Sequence, residues 1–534
     1  MKIHSTTRLS LLSLAVATWF LAACGANGSG GSGSGEPDPD ATLRIAISTP
    51  VGDNLNPNAF DALWQAQAMM FEPLVRYGDG GKTEPALAKS WTVSEDGLDY
   101  DFHLRPNVTF TDGAPWNAEA AIFGLKQWVG NSRFDFLEAT EVISGIKALD
   151  DMTVRLTLAK PFPGLLQELS IVRPVRFFSP KAAGPNGKYR GDPVGTGPFI
   201  LKSNSRSKTV FVRNPHYWGK EPQVAKVELN VIPDAMGRLT ALRVGEVDMI
   251  GGAMSAPLSP HDAEQLSGGD TRVIATPGDI SLLIAFNDDQ DRVMHDLAVR
   301  KAVNLAIDRV SIAKAIYLGR AKPIGSLFPA AVPHSFAKDA PTADPDQARQ
   351  VLEDAGWTGD HDHVREKDGK ALKLEMLISK ERLPAAREVG EAIQAQLADV
   401  GIKVELADLD HATSHDRIPK RQYDMALTTT YGAPYDPNNT LKALMLSTVE
   451  SGVDGKIYRN PEFDPLINKA LAAQSDEDRK AAYQALNQYL DKVQGFGPLL
   501  VQDRIWAVGS RVHDVRPAST DYEFPLEGIW IEKS

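Results

Sequence analysis

The residue types able to do chemistry are scattered along the chain, and the groupings nearest to known constellations fall short of them. Gly81-Lys82-Thr83 has the tail of a phosphate-binding loop, but the first glycine of that pattern would fall at Arg76, whose side chain obstructs the backbone nest a phosphate needs. A turn is expected there. Asp360-His361-Asp362-His363 sets two imidazoles among carboxylates, yet alternate residues in a polar stretch between Gly359 and Gly369 rarely converge on one ion. His411 and His415 could share a helix face and hold a cation, against the plainer reading of a solvated face. Asn107-Val108-Thr109 is a glycosylation sequon by letter only. No nucleophile, base and orienting group assemble, so an enzyme is not expected.

The one cysteine, Cys24, stands at the end of a different pattern. Lys2 and Arg8 precede an apolar run from Leu9 to Ala23, too short to remain as a membrane helix, which reads as an export signal over residues 1–23. Leu21-Ala22-Ala23-Cys24 resembles the lipobox of bacterial lipoproteins, and that resemblance implies cleavage before Cys24 and its lipidation. Residues 24–40, rich in Gly and Ser with an acidic, Pro-containing end, have almost nothing to bury and read as a flexible tether. Of the 534 residues, 57 are basic and 69 acidic, for a formal charge of -12, the wrong sign for coating phosphate backbones. Nucleic acid is therefore not an expected partner, and a monomer is expected.

Past residue 40 the elements that must position any site alternate in type. Period-two alternation predicts strands at 42–47, 100–104 and 153–158. Further strands are expected at 227–231, 281–286, 372–378, 404–407 and 425–428. Helical composition runs from Ala118 to Val129, with Pro115 and Asn117 as start signals, and helices are expected at 297–307, 347–354, 384–397 and 476–492. Interleaved strands and helices over this length indicate an α/β protein of more than one lobe.

Longer runs carry a resemblance. Phe71-Glu72-Pro73-Leu74-Val75, Leu87-Ala88-Lys89-Ser90-Trp91, Phe110-Thr111-Asp112-Gly113, Val194-Gly195-Thr196-Gly197-Pro198-Phe199 and Asn214-Pro215-His216-Tyr217-Trp218-Gly219 come in an order that resembles the peptide and nickel substrate-binding proteins of ABC importers, bacterial extracellular solute-binding protein family 5. Gly245-Glu246-Val247-Asp248 and the segment Ala298 to Asp308 belong to the same match. Read locally, these Gly/Pro/aromatic clusters are turns packed against cores, so they speak for scaffold. The family implies a type II periplasmic-binding-protein fold, two α/β lobes closing on a ligand about a hinge, with an extra subdomain inserted in lobe one. Lobe one is expected at 41–278, with the insert at about 75–195 and a return at 507–534; lobe two is expected at 279–506.

The closer resemblance is to the nickel-chelate branch. Gln167-Glu168-Leu169 followed by Arg173-Pro174-Val175-Arg176-Phe177 is similar to the segment whose first arginine grips a chelator carboxylate, which implies that role for Arg173. Asn131 to Glu138 resembles a segment supplying a second arginine and an aromatic wall, implying Arg133 and Phe136. Tyr431-Gly432-Ala433-Pro434-Tyr435-Asp436-Pro437 is similar to the lobe-two loop of that branch, implying Tyr431 and Tyr435; Phe60 and Trp64 lie where further pocket walls are implied. Guanidinium forks suit carboxylates, whereas a bare cation would be repelled, so arginines imply an ion already neutralised by an organic chelator. Peptide-binding relatives anchor the ligand's amino terminus with an aspartate at the position of Ala433, and a histidine that some relatives give the metal has no counterpart in Ser447-Thr448-Val449-Glu450-Ser451. The expected cargo is thus a chelate of nickel, or of a similar transition metal, with an amino-acid-type or opine-type metallophore that supplies the metal ligands, bound for an ABC permease; a di- or oligopeptide is the alternative. Replacing Arg173 with alanine is expected to weaken chelate binding and to leave the melting point of the free protein nearly unchanged.

Overall fold

The computed structural model describes residues 35–333, 335–379, 383, 385–448 and 457–533. Cys24 and the expected export signal lie outside them, as do residues 449–451 of the loop expected to lack a metal histidine.

Three sheets organise the chain. The first has seven strands in the order Thr271–Thr276, Arg504–Gly509, Met249–Gly251, Thr42–Ile47, Lys226–Val231, Lys208–Arg213 and Phe199–Asn204. Thr42–Ile47 pairs in parallel with Lys226–Val231 and Met249–Gly251, and its alternation divides its side chains between two cores. Leu43, Ile45 and Ile47 enter one, while the small Ala46 meets the layer beneath the helix Ala235–Arg243. The second sheet orders Ala321–Pro323, Phe496–Gln502, Ser281–Phe286, Met425–Thr429, Lys373–Ile378 and Lys403–Asp408. Ser281–Phe286 is buried along its whole length, with Leu282, Ile284 and Phe286 in one core and Leu283 and Ala285 in the other. A four-stranded antiparallel sheet, Ala88–Val93, Asp99–Leu104, Thr153–Leu158 and Ile143–Asp150, is inserted between strands of the first.

The chain crosses between the two large sheets twice, between Thr276 and Ser281 and again at Asp503, a few residues before the expected 507. Helices begin where side chains cap them. Asp296 accepts from the Ala298 N–H at 2.9 Å to start Leu297–Ala306, and Ser475 accepts from the Asp478 N–H at 3.0 Å to start Asp476–Val493. The helix at Ala118 stops at Leu125, short of the expected Val129, because the chain tightens into turns that end on Gly130 at φ 73°.

Three of the scaffold runs meet at one carboxylate. Glu72 is buried and accepts from Thr196 Oγ1 at 2.8 Å, Tyr217 Oη at 2.9 Å and Trp218 Nε1 at 2.7 Å. Three runs far apart in sequence are thereby tied, and a side chain at Gly195 would collide with the Met70 carbonyl oxygen. Those glycines and aromatics hold the base from which the cleft is built.

Candidate functional site

Residues 59–64 form a turn and the start of the helix Trp64–Met70, and they put Phe60 and Trp64 beside Arg173. Arg173 is 1% exposed, and its guanidinium lies 3.9 Å from the centre of the Trp64 ring and 5.4 Å from that of Phe60. Its Nη1 donates to the carbonyls of Ala59 at 2.9 Å and Ala62 at 3.1 Å, while Nε has no hydrogen-bond partner. Burial pulls this guanidinium down to about 10, against the opposing pull of Tyr435, Tyr522 and Asp61, and the Arg133 charge adds a smaller push in the same direction as burial. The second arginine of the motif is engaged in the scaffold, where Arg176 donates to the Phe71 carbonyl at 2.8 Å and pairs with Glu523.

Arg133 approaches the same ring from elsewhere, 5.0 Å from the centre of Phe60, so two guanidiniums share one aromatic contact. Its segment is fixed by Asn131, which accepts from the Arg133 N–H at 3.1 Å, and by Phe136, whose ring lies 6.1 Å from Phe60. Arg133 is exposed. Among the described residues neither Arg133 nor Arg173 has a carboxylate within ion-pair distance.

The second lobe contributes a loop held from three directions. Asp436 accepts from the Gly432 N–H at 2.9 Å and from Thr440, which makes it a turn former; burial pushes its carboxyl up to about 6. Asp279, in the first crossing, accepts from the Ala433 N–H at 3.1 Å. Gln167 donates to the carbonyls of Pro434 at 2.8 Å and Asp436 at 2.6 Å. So held, Tyr431 and Tyr435 lie 6.2 Å apart by ring centres. All seven residues expected at the pocket thus lie in one contiguous group.

Sequence reasoning missed Tyr522. Its ring stacks obliquely on Tyr435 at 4.7 Å and meets the Trp64 edge at 5.4 Å, and its hydroxyl donates to the Tyr431 carbonyl at 2.6 Å. The residue closes the aromatic group from an irregular C-terminal segment, where no periodicity points to it; only its being aromatic was a signal.

The other candidates do not assemble. The Gly81-Lys82-Thr83 stretch is a turn leading into the strand Thr83–Pro85. His363 is exposed, while the side chains of His361, His411 and His415 lie outside the described residues. Among the described residues no three His, Cys, Asp or Glu gather as a metal site would require. A polar groove of about 580 Å³ lies elsewhere, beside Arg349 and Arg365, but these guanidiniums are committed to Asp346 and Glu353 respectively.

The family model for bacterial extracellular solute-binding proteins, family 5 Middle, matches residues 82–452. The chain belongs to that family. It is 32% identical over 485 residues to the nickel-binding periplasmic protein of Escherichia coli K12, covering 89% of this chain and 92% of that protein. Among solved structures, the ABC transporter substrate-binding protein from Sinorhizobium meliloti is 40% identical with a TM-score of 0.77, over 92% of this chain and 100% of that one. NikA from Brucella suis in complex with Fe(III)-EDTA is 30% identical with a TM-score of 0.85, over the same shares, 92% and 100%. Peptide-binding proteins also stand among the relatives. The mixed α/β fold is that of the periplasmic binding proteins, and members of the family bind small solutes for ABC permeases outside the cytoplasmic membrane.

Buried acids give the fold a pH signature. Burial pushes Glu168 up to about 7, opposed by the Ala139 N–H and the Lys442 charge. Burial also pushes Asp521 up to about 7, opposed by Arg504 and reinforced by Asp279. Acids with raised folded-state values keep protons that the unfolded chain gives up near pH 4, so the folded state binds more protons through that window. Stability is therefore expected to fall as pH rises from about 5 to 7 and to level off above. Thermal melts of the free protein should show a midpoint a few degrees lower at pH 7.5 than at pH 5.5, and a midpoint that rises over this range would contradict the assignment.

Proposed function

We propose that this chain is the substrate-binding lipoprotein of an ABC importer, anchored through Cys24, and that it delivers a nickel chelate to the permease. One observation carries the reading: Arg173, buried on Trp64 and crowded by Arg133, pairs with no carboxylate at ion-pair distance, Asp61 acting on it only from farther away. A buried cation without a counter-charge is destabilising until an anion arrives. A chelate with carboxylate arms supplies that anion, and the rings of Phe60, Trp64, Phe136, Tyr431, Tyr435 and Tyr522 exclude water around it. The likeness to a nickel-binding protein and to a relative holding Fe(III)-EDTA supports an aminocarboxylate complex, here nickel with histidine or an opine-type chelator.

Ala433 offers a peptide's ammonium no side-chain charge. A peptide receptor remains the second reading because the buried Asp279 Oδ1, close to this loop, lacks a hydrogen-bond partner. Titrations followed by tryptophan fluorescence separate the two, with Trp64 as the reporter against Arg173. Nickel with histidine is expected to change the emission saturably, and a response to di- and tripeptides alone would reverse the assignment. The anchor is tested by mass spectrometry of the protein from a bacterial host: a diacylated or triacylated Cys24 at the amino terminus is expected, and an intact signal or unmodified cysteine removes it.

A further inference from the structure

Lys442, on the helix Asn438–Met445 of the second lobe, has a side chain only 3% exposed. Its Nζ lies 2.8 Å from Glu138 Oε2 and 2.8 Å from Glu141 Oε1, both on the helix Glu138–Val142 of the inserted subdomain. Asn439, three residues earlier and so on the same helix face, donates from Nδ2 to the Phe136 carbonyl at 3.1 Å and to Glu168 Oε1 at 3.0 Å. Glu168 in turn accepts from the N–H groups of Glu138 at 3.1 Å and Ala139 at 2.8 Å, which fixes the first turn of that same short helix. Lys160 completes the cluster at 2.6 Å from Glu138 Oε1.

The grip falls immediately after Arg133, on the residues that aim the Arg133–Phe136 wall. A buried ion pair gains little net energy over its hydrated halves, but it is strict about geometry, because either partner left alone in the interior is heavily penalised. Parting the lobes would break this buried pair and expose Lys442 and both glutamates to water.

We infer that Asn439 and Lys442 are positioning residues that latch the lobes: as the cleft closes they seize the Phe136 carbonyl and the Glu138–Val142 helix, set the Arg133–Phe136 wall and slow ligand escape. The ligand half of this inference rests on the proposed function; the latch itself does not. The test uses the mature chain, with Lys442→Met, Glu138→Gln, the double variant and Asn439→Asp, which replaces the amide donor facing the Phe136 carbonyl and Glu168 with an acceptor. Hydrogen exchange at residues 134–142 is read in the free protein, and stopped-flow kinetics with nickel plus histidine in the loaded one.

Lys442→Met is expected to speed exchange across 134–142 and to raise the dissociation rate about tenfold or more, with the association rate little changed. Glu138→Gln added to it should cost less than the sum of the two single changes, since the partners are coupled. Asn439→Asp should act in the same direction, which decides the matter if Lys442→Met does not fold. Unchanged exchange together with unchanged dissociation overturns the latch. If the unaltered protein ignores nickel with histidine, the proposed cargo fails while the exchange measurement alone still decides the latch.

Discussion

Replacing Arg173 with methionine is expected to weaken binding of nickel with histidine by at least about 100-fold while shifting the melting point of the free protein only slightly. The affinity loss follows from removing a buried charge-assisted fork against a carboxylate, about 3 kcal/mol or more. The small stability change is a near cancellation. Methionine fills much of the volume and relieves the burial of an uncompensated cation, which offsets the donors lost by the Ala59 and Ala62 carbonyls. Alanine at the same position is a different experiment. It leaves a cavity under Trp64 as well as two orphaned carbonyls, and about 2–4 kcal/mol of stability should go with them. The expectation drawn from sequence, that removing Arg173 by alanine leaves the free protein's melting point nearly unchanged, therefore does not survive its burial. Arg133, exposed and resting on Phe60, supplies the control: Arg133→Ala should reduce affinity about tenfold with no change in melting. Isothermal titration of the three variants reads the affinities and thermal melts of the free proteins read the stabilities, and full affinity in Arg173→Met would end the chelate reading.

What could be read from the residues depended on whether the physics was local. Thr42–Ile47, Thr153–Leu158 and Ser281–Phe286 fall where expected, since alternating or apolar runs bounded by turns select extended backbone from the sequence itself. The strand Phe496–Gln502 went unread because Gly497 and Pro498 interrupt an apolar run that is buried on both faces and has no alternation. In the hairpin of Phe199–Asn204 and Lys208–Arg213 the first strand runs three apolar residues into three polar ones without alternation, and Phe199 and Arg213 sit inside or beside scaffold runs that read as turns. The arginine and tyrosine segments were found by resemblance; period and spacing alone would have left them as ordinary surface pairs and core rings. Tyr522 and Lys442 were not found, because their meaning exists only once residues about 90 and 300 positions away are beside them.

The same distinction yields the second large effect, on Glu72. Substitution by alanine removes the acceptor for a threonine hydroxyl, a tyrosine hydroxyl and an indole N–H in one step, the first in a buried setting and the other two in a part-buried one. Each buried donor left unsatisfied costs about 1–3 kcal/mol, and the two part-buried ones fall at the low end because water can reach them, so a loss of about 3–6 kcal/mol is expected, among the largest single-residue effects the fold should show. Burial raises the Glu72 carboxyl, and the three donors with Arg176 pull against that rise. Glu72→Gln tests the charge by keeping one acceptor oxygen while introducing two donors, and its stability should fall between the parent and alanine. Chelate affinity of the folded fraction should stay within about threefold, because Arg173 is held through Ala59 and Ala62, and Arg176 keeps Glu523 even if the backbone at Phe71 relaxes. Urea unfolding of Glu72→Ala measures the first quantity and titration below the transition the second. A variant that unfolds like the parent would mean that the three runs are held by ring packing alone, and one that stays stable but stops binding would move Glu72 from scaffold to ligand.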